Sequence, residues 1–204
     1  MEGSNVRNYF FNSFIMPGCD VEVHIVFGKT FYIHSKEQLL ANLQDLSNWS
    51  KDFSLQTDID LGLMEWSPVG RSSFPFSGNF DGNNYTISNF QITKNNKYNG
   101  FFGLVYKSEI KNLKFKDVDI KYAFEENKNM NLLFSGIVCG YMWEGVLKNI
   151  KTEGVIHIRL VQDDVYVGNK YKDAYSFGLE VGGVVGAISD VQEIESVSSN
   201  IDLL

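Results

Sequence analysis

Proline, arginine, histidine and cysteine are all scarce in this chain. Three prolines stand beside 18 glycines and 16 phenylalanines in 204 residues. Turns must therefore come from Gly, Asn and Asp, which suits a turn-rich β protein. Arginine occurs only at Arg7, Arg71 and Arg159, and the net charge is −7. That balance argues against nucleic acid or an anionic membrane as the main partner, because both call for a basic face. Cys19 and Cys139 are far apart and in no CxxC context. They suggest neither a zinc site nor a redox pair, and read as buried free thiols. His24, His34 and His157 do not form HExxH, and GxSxG, P-loop and dinucleotide-binding glycine phrases are absent. No apolar run reaches the ~18 residues of a transmembrane helix. The opening Met-Glu-Gly-Ser-Asn lacks the regions of a signal peptide. On this reading the protein either stays inside the cell or is cut from a longer exported chain.

What the chain does have is hydrophobic content of 44% against 21% charged residues, enough for a buried core. The stretch from Trp66 to Ile87 organises it. Asp81-Gly82 is a turn signal between two β-prone runs, Phe74 to Phe80 and Tyr85 to Ile92. Residues before it read as a lead-in, and residues after it read as repeated units. Gly100-Phe101-Phe102-Gly103 is followed by Ile110-Lys111-Asn112-Leu113. Gly136-Ile137-Val138-Cys139-Gly140 is followed by Leu147-Lys148-Asn149-Ile150. Gly182-Gly183-Val184-Val185-Gly186 is followed by Ile194-Glu195-Ser196-Val197. Such a period implies stacked units whose inward apolar residues form ladders, with glycine where the backbone bends tightly.

Before the repeats, residues 8–27 read as a β-hairpin turning at Met16-Pro17-Gly18, with Val21, Val23, Ile25 and Phe27 at period two. Phe31 to His34 is a brief strand. Ser35 with Gln38 forms a capping-box pattern, and Leu39, Leu40, Leu43 and Leu46 make one apolar face, predicting a helix over 35–47 that covers the first sheet edge. Residues 53–61 alternate as one strand, with Phe53, Leu55, Thr57, Ile59 and Leu61 inward. Asp58 and Asp60 then share the outer face, either as a calcium or acid–base pair or as solvated residues beside turns.

These phrases carry a resemblance. Thr57-Asp58-Ile59-Asp60-Leu61, Trp66-Ser67-Pro68-Val69-Gly70, Phe76-Ser77-Gly78-Asn79-Phe80-Asp81-Gly82-Asn83 and Gly100-Phe101-Phe102-Gly103 occur in that order. Together they resemble the opening of the GLUG-motif region of bacterial surface proteins, including immunoglobulin A metallopeptidase-type proteins. The match covers residues 30–204. Phe14-Ile15-Met16-Pro17 and the alternation that follows resemble the tail of an internalin B-repeat module. The resemblance implies an all-β fold, a right-handed parallel β-helix (solenoid) with a short capping helix. Residues 1–28 would be the hairpin, and 29–204 the β-helix with repeats near 100–120, 136–158 and 182–203. It also implies a secreted or cell-surface setting and flanking domains in a longer chain.

Two segments break the rhythm, Tyr122 to Met130 and Arg159 to Phe177, and both read as loops. The second carries Asp163, Asp164, Tyr166, Tyr171, Asp173 and Tyr175. These are either a glycan- or protein-binding patch or a solvated connection. The chain ends at Leu204 with no cap, so a fragment or a covering partner is expected.

No catalytic set is legible and no cofactor is implied, and calcium has no support beyond Asp58 and Asp60. The first expectation is a non-catalytic module for adhesion, ligand presentation or reach, with a host protein or glycan as partner and no membrane insertion. The rivals are a carbohydrate-active β-helix enzyme working through Asp58 and Asp60, and a substrate-positioning region of a surface protease.

Overall fold

The computed structural model describes residues 30–94, 96–125, 132–161 and 178–204. Strand β1 spans Thr30–Ile33, helix α1 Lys36–Leu43, β2 Asp52–Leu55, β3 Ile59–Glu65, β4 Phe80–Asp81 and β5 Thr86–Ile92. They are followed by β6 Tyr98–Asn99, β7 Phe102–Tyr106, β8 Glu109–Glu125, β9 Leu132–Gly136, β10 Cys139–Trp143, β11 Val146–Val161, β12 Gly178–Gly182, β13 Val185–Ser189 and β14 Glu193–Leu203. The fold is mostly strand, and every pair of named strands is parallel. The large sheet runs β1-β2-β4-β8-β11-β14, with β3 and β5 alongside β8. The two small sheets run β7-β10-β13 and β6-β9-β12.

Each sequence repeat therefore supplies one strand to each of three sheets, and successive repeats lie side by side as rungs. The register matches the repeated phrases. Phe102, Cys139 and Val185 are partners, as are Ile110, Leu147 and Ile194. Inward residues form apolar ladders because a parallel in-register pair places equivalent side chains over one another. The ladder of Val105, Met142 and Ile188 is one example, and that of Ile120, Ile156 and Leu203 is another. At the first rungs the core is aromatic. Trp66 stacks on Phe101 with centroids 4.5 Å apart, and its Nε1–H donates to the Phe101 carbonyl at 2.8 Å. Phe76 and Phe102 lie 4.6 Å apart beside it. Each such ring contributes ~1.5–3 kcal/mol by burial.

The second glycine of the repeated phrase is set by crowding between rungs rather than by a turn. A Cβ on Gly103 would lie 2.3 Å from the Gly70 carbonyl oxygen. Gly82 corrects the turn reading in the same way. Positive φ falls on Asn83 and Asn84, while a Cβ on Gly82 would meet the Asn112 carbonyl oxygen at 2.4 Å.

The Asn of each apolar-x-Asn-apolar phrase is a corner. Asn112, Asn149 and Ser196 have φ of 52°, 51° and 53°, so the long strands β8, β11 and β14 change direction there. Asn tolerates this left-handed conformation better than most residues. Its amide also bonds between rungs. Asn149 Nδ2 donates to Asn84 Oδ1 at 2.9 Å and to Asn112 Oδ1 at 3.1 Å, and Asn112 Nδ2 donates to Asp81 Oδ1 at 3.1 Å.

Several expectations are corrected. Helix α1 has the Ser35 cap, which accepts from the Gln38 N–H, but ends at Leu43 and gives way to a 3-10 turn over Leu46–Asn48. The Asp45 side chain starts that turn by accepting from the Ser47 N–H. Leu39 and Leu43 are fully buried, and α1 packs on β1 and β3. Residues 53–61 are two strands rather than one, broken at Gln56–Asp58, and Thr57 is only half-buried. Residues 30–65 are not a lead-in, since β1 to β3 already belong to the large sheet. Tyr122 is not in a loop either. Strand β8 continues to Glu125, and Tyr122 is buried with its hydroxyl donating to Ser135 Oγ at 3.0 Å. Strand β11 likewise extends to Val161. The expected hairpin at 8–27 lies outside the described residues.

Candidate binding face

Asp58 and Asp60 are both exposed, and both are held by backbone or side-chain donors. The Thr86 N–H donates to Asp58 Oδ1 at 2.7 Å, tying the break between β2 and β3 to the start of β5. Asp60 Oδ1 accepts from the Gly62 N–H at 2.8 Å and from Asn89 Nδ2 at 3.0 Å. The Asn89 and Gly62 hydrogen bonds hold the Asp60 carboxyl below its ordinary range. A carboxylate held ionised in this way is poorly suited to act as a general acid. These bonds also fix a turn in which Gly62 and Leu63 have φ of 64° and 59°. Among the described residues no group of three or more His, Cys, Asp or Glu side chains could hold a metal ion.

The outer face of the large sheet carries a different feature. The register sets Thr86, Lys114, Lys151 and Ser198 in one row across β5, β8, β11 and β14. Lys116 and Asn200 lie two residues further along their strands. These side chains line a groove of about 340 Å³. Phe115 and Thr152, at the alternate positions between them, are buried. Lys114 and Lys151 are exposed, and among the described residues neither forms an ion pair. The equivalent lysines on the neighbouring stretch do. Lys111 pairs with Glu109 at 2.7 Å and Lys148 with Glu193 at 2.7 Å, and these partners raise both lysine pKa values.

The signal for this row lies in the polar positions of the repeats. Ile110-Lys111-Asn112-Leu113-Lys114 and Leu147-Lys148-Asn149-Ile150-Lys151 repeat lysine at the same two positions. Once the repeats are in register, the lysines must lie side by side. A second outward pair, Tyr106 and Trp143, occupies neighbouring rungs of the β7-β10 sheet with ring centroids 4.9 Å apart and Trp143 44% exposed. Lys107 lies over the Tyr106 ring and pairs with Glu144 at 3.3 Å.

The residues singled out from the sequence as a binding patch, Asp163, Asp164, Tyr166, Tyr171, Asp173 and Tyr175, lie outside the described residues. Comparison with family models, curated proteins and solved structures found no match for the chain.

Proposed function

We propose that residues 30–204 form a right-handed parallel β-helix that serves as a non-catalytic module of a bacterial secreted or cell-surface protein, for adhesion, ligand presentation or reach. The in-register order of successive repeats in three parallel sheets supports the solenoid. The right hand follows from the strong preference of parallel crossover connections. The surface setting rests on the resemblance to GLUG-motif proteins. The observation that carries the binding role is the pair Lys114 and Lys151, side by side on the outer face and without an ion-pair partner among the described residues. The engagement of Asp58 and Asp60 in hydrogen bonds that hold a turn and tie neighbouring strands weighs against the carbohydrate-active enzyme.

The test is a screen of the purified chain on a glycan array that includes host matrix proteins and immunoglobulins, with and without calcium. Every glycan that binds is then incubated with the protein and assayed for reducing ends and unsaturated sugars. The expected result is reproducible binding with no product. Turnover abolished by Asp60→Asn would overturn the non-catalytic reading.

A further inference from the structure

We propose that the groove around Lys114 and Lys151 binds a linear acidic polysaccharide through its carboxylate or sulfate groups. This rests on the binding role proposed above and names its ligand class.

The argument begins with charge. In a chain of net charge −7, Lys114 and Lys151 on adjacent strands have no ion-pair partner among the described residues, although nearby lysines have carboxylate partners. Strand spacing fixes their geometry. In-register parallel neighbours lie ~4.8 Å apart, and alternate residues of one strand ~6.6 Å apart. Lys114, Lys151 and Lys116 thus offer cationic heads at intervals comparable to one sugar residue. Lys116 is weakly engaged, with Asp117 Oδ2 at 3.9 Å.

The rest of the lining favours sugar over nucleic acid. Thr86 and Ser198 flank the two lysines in the row, and Asn200 lies beside them. Hydroxyl and amide groups of this kind suit ring hydroxyls. Single-stranded nucleic acid calls for exposed aromatic platforms. The one aromatic ring in the lining, Phe115, is only 2% exposed. Glu153 is exposed within the lining, opposite Asn200 and two residues beyond Lys151, where it would repel a dense phosphate backbone but can lie against the neutral hydroxyl edge of a sugar ring.

The experiment is isothermal titration of the full chain with polygalacturonate, dextran sulfate and neutral dextran at low and physiological ionic strength. Variants K114Q, K151Q and the double variant are compared with K94Q, an exposed lysine outside the groove. Circular dichroism checks that each variant is folded. The expected result is binding to one or both acidic polymers and none to dextran, weakening with salt, as exposed charge pairs do. The double variant should lose about tenfold or more in affinity, and K94Q less than about twofold, as rim charges contribute little. Preference between the two acidic polymers separates a uronate from a sulfate ligand. No binding to either at low salt, or binding that the double variant leaves intact, overturns the proposal. Product release from a bound polymer would instead sink the non-catalytic reading and leave the groove standing.

Discussion

At the scale of single residues, Cys139 shows how the core governs chemistry. Its thiol is fully buried, on the inward side of β10 between Phe102 and Val185. Burial pushes its pKa well above the ordinary thiol range. A group whose folded pKa is raised contributes stability that is intact below its unfolded pKa and is lost as pH climbs past it. Below the ordinary thiol pKa of about 8.5 the folded and unfolded chains both hold the proton. Above it the unfolded chain ionises first, and the folded state loses ground. In a Cys19→Ser background, Ellman's reagent should label Cys139 at least a hundredfold slower in native buffer than in urea. The urea midpoint should also fall between pH 8 and pH 10 by more than it does in the Cys139→Ala chain. Fast labelling of the native protein would contradict the burial. Sequence alone does not rank Cys139 against Cys19, because burial depends on which rung partners surround a thiol.

At the scale of elements, the corner asparagines join local conformation to packing between rungs. Asn149→Ala removes two inter-rung hydrogen bonds and places a poorly suited residue at φ of 51°. With ~1 kcal/mol for each net hydrogen bond and ~1–2 kcal/mol for the left-handed backbone, the loss should be about 3–4 kcal/mol. Asn149→Gly keeps the backbone freedom and should cost less, which separates the two causes. Ser196 has the same φ without an amide. Ser196→Asn should therefore extend the ladder and raise the urea midpoint. These corners explain what the sequence disclosed and what it hid. The period of the phrases was plain, and the inward apolar positions around Ile110, Leu147 and Ile194 followed from it. The left-handed turn inside an apparently continuous strand was not plain, since alternation reads the same on either side of a bend. The break at Gln56–Asp58 was missed for the same reason. The lysine row was hidden differently. Apolar residues alone define the repeat, whereas a binding face appears only when outward residues are aligned too.

At the scale of the whole molecule, the third repeat differs in burial from the two before it. Val105, Met142, Ile110, Leu147, Ile120 and Ile156 are at most 1% exposed, whereas their partners on the last rung, Ile188, Ile194 and Leu203, are 46%, 50% and 58% exposed. Stability in such arrays is close to a sum of intrinsic and nearest-neighbour terms, so a rung with one neighbour is the weakest. Amide hydrogen exchange should be fastest in β14, slower in β11 and slowest in β8. Equal protection of β14 and β8 in a monomer would show that the array unfolds as one unit.

The order of strands in the large sheet has a mechanical consequence. Strands β1 and β14 lie at its opposite edges, and inter-strand hydrogen bonds run from one rung to the next. Tension applied through residues 30 and 204 would act along those bonds rather than across them. The rungs would peel one at a time, each releasing a length of chain at low load. Pulled in this way, such a molecule would act as a damper, lengthening in steps rather than giving way at once.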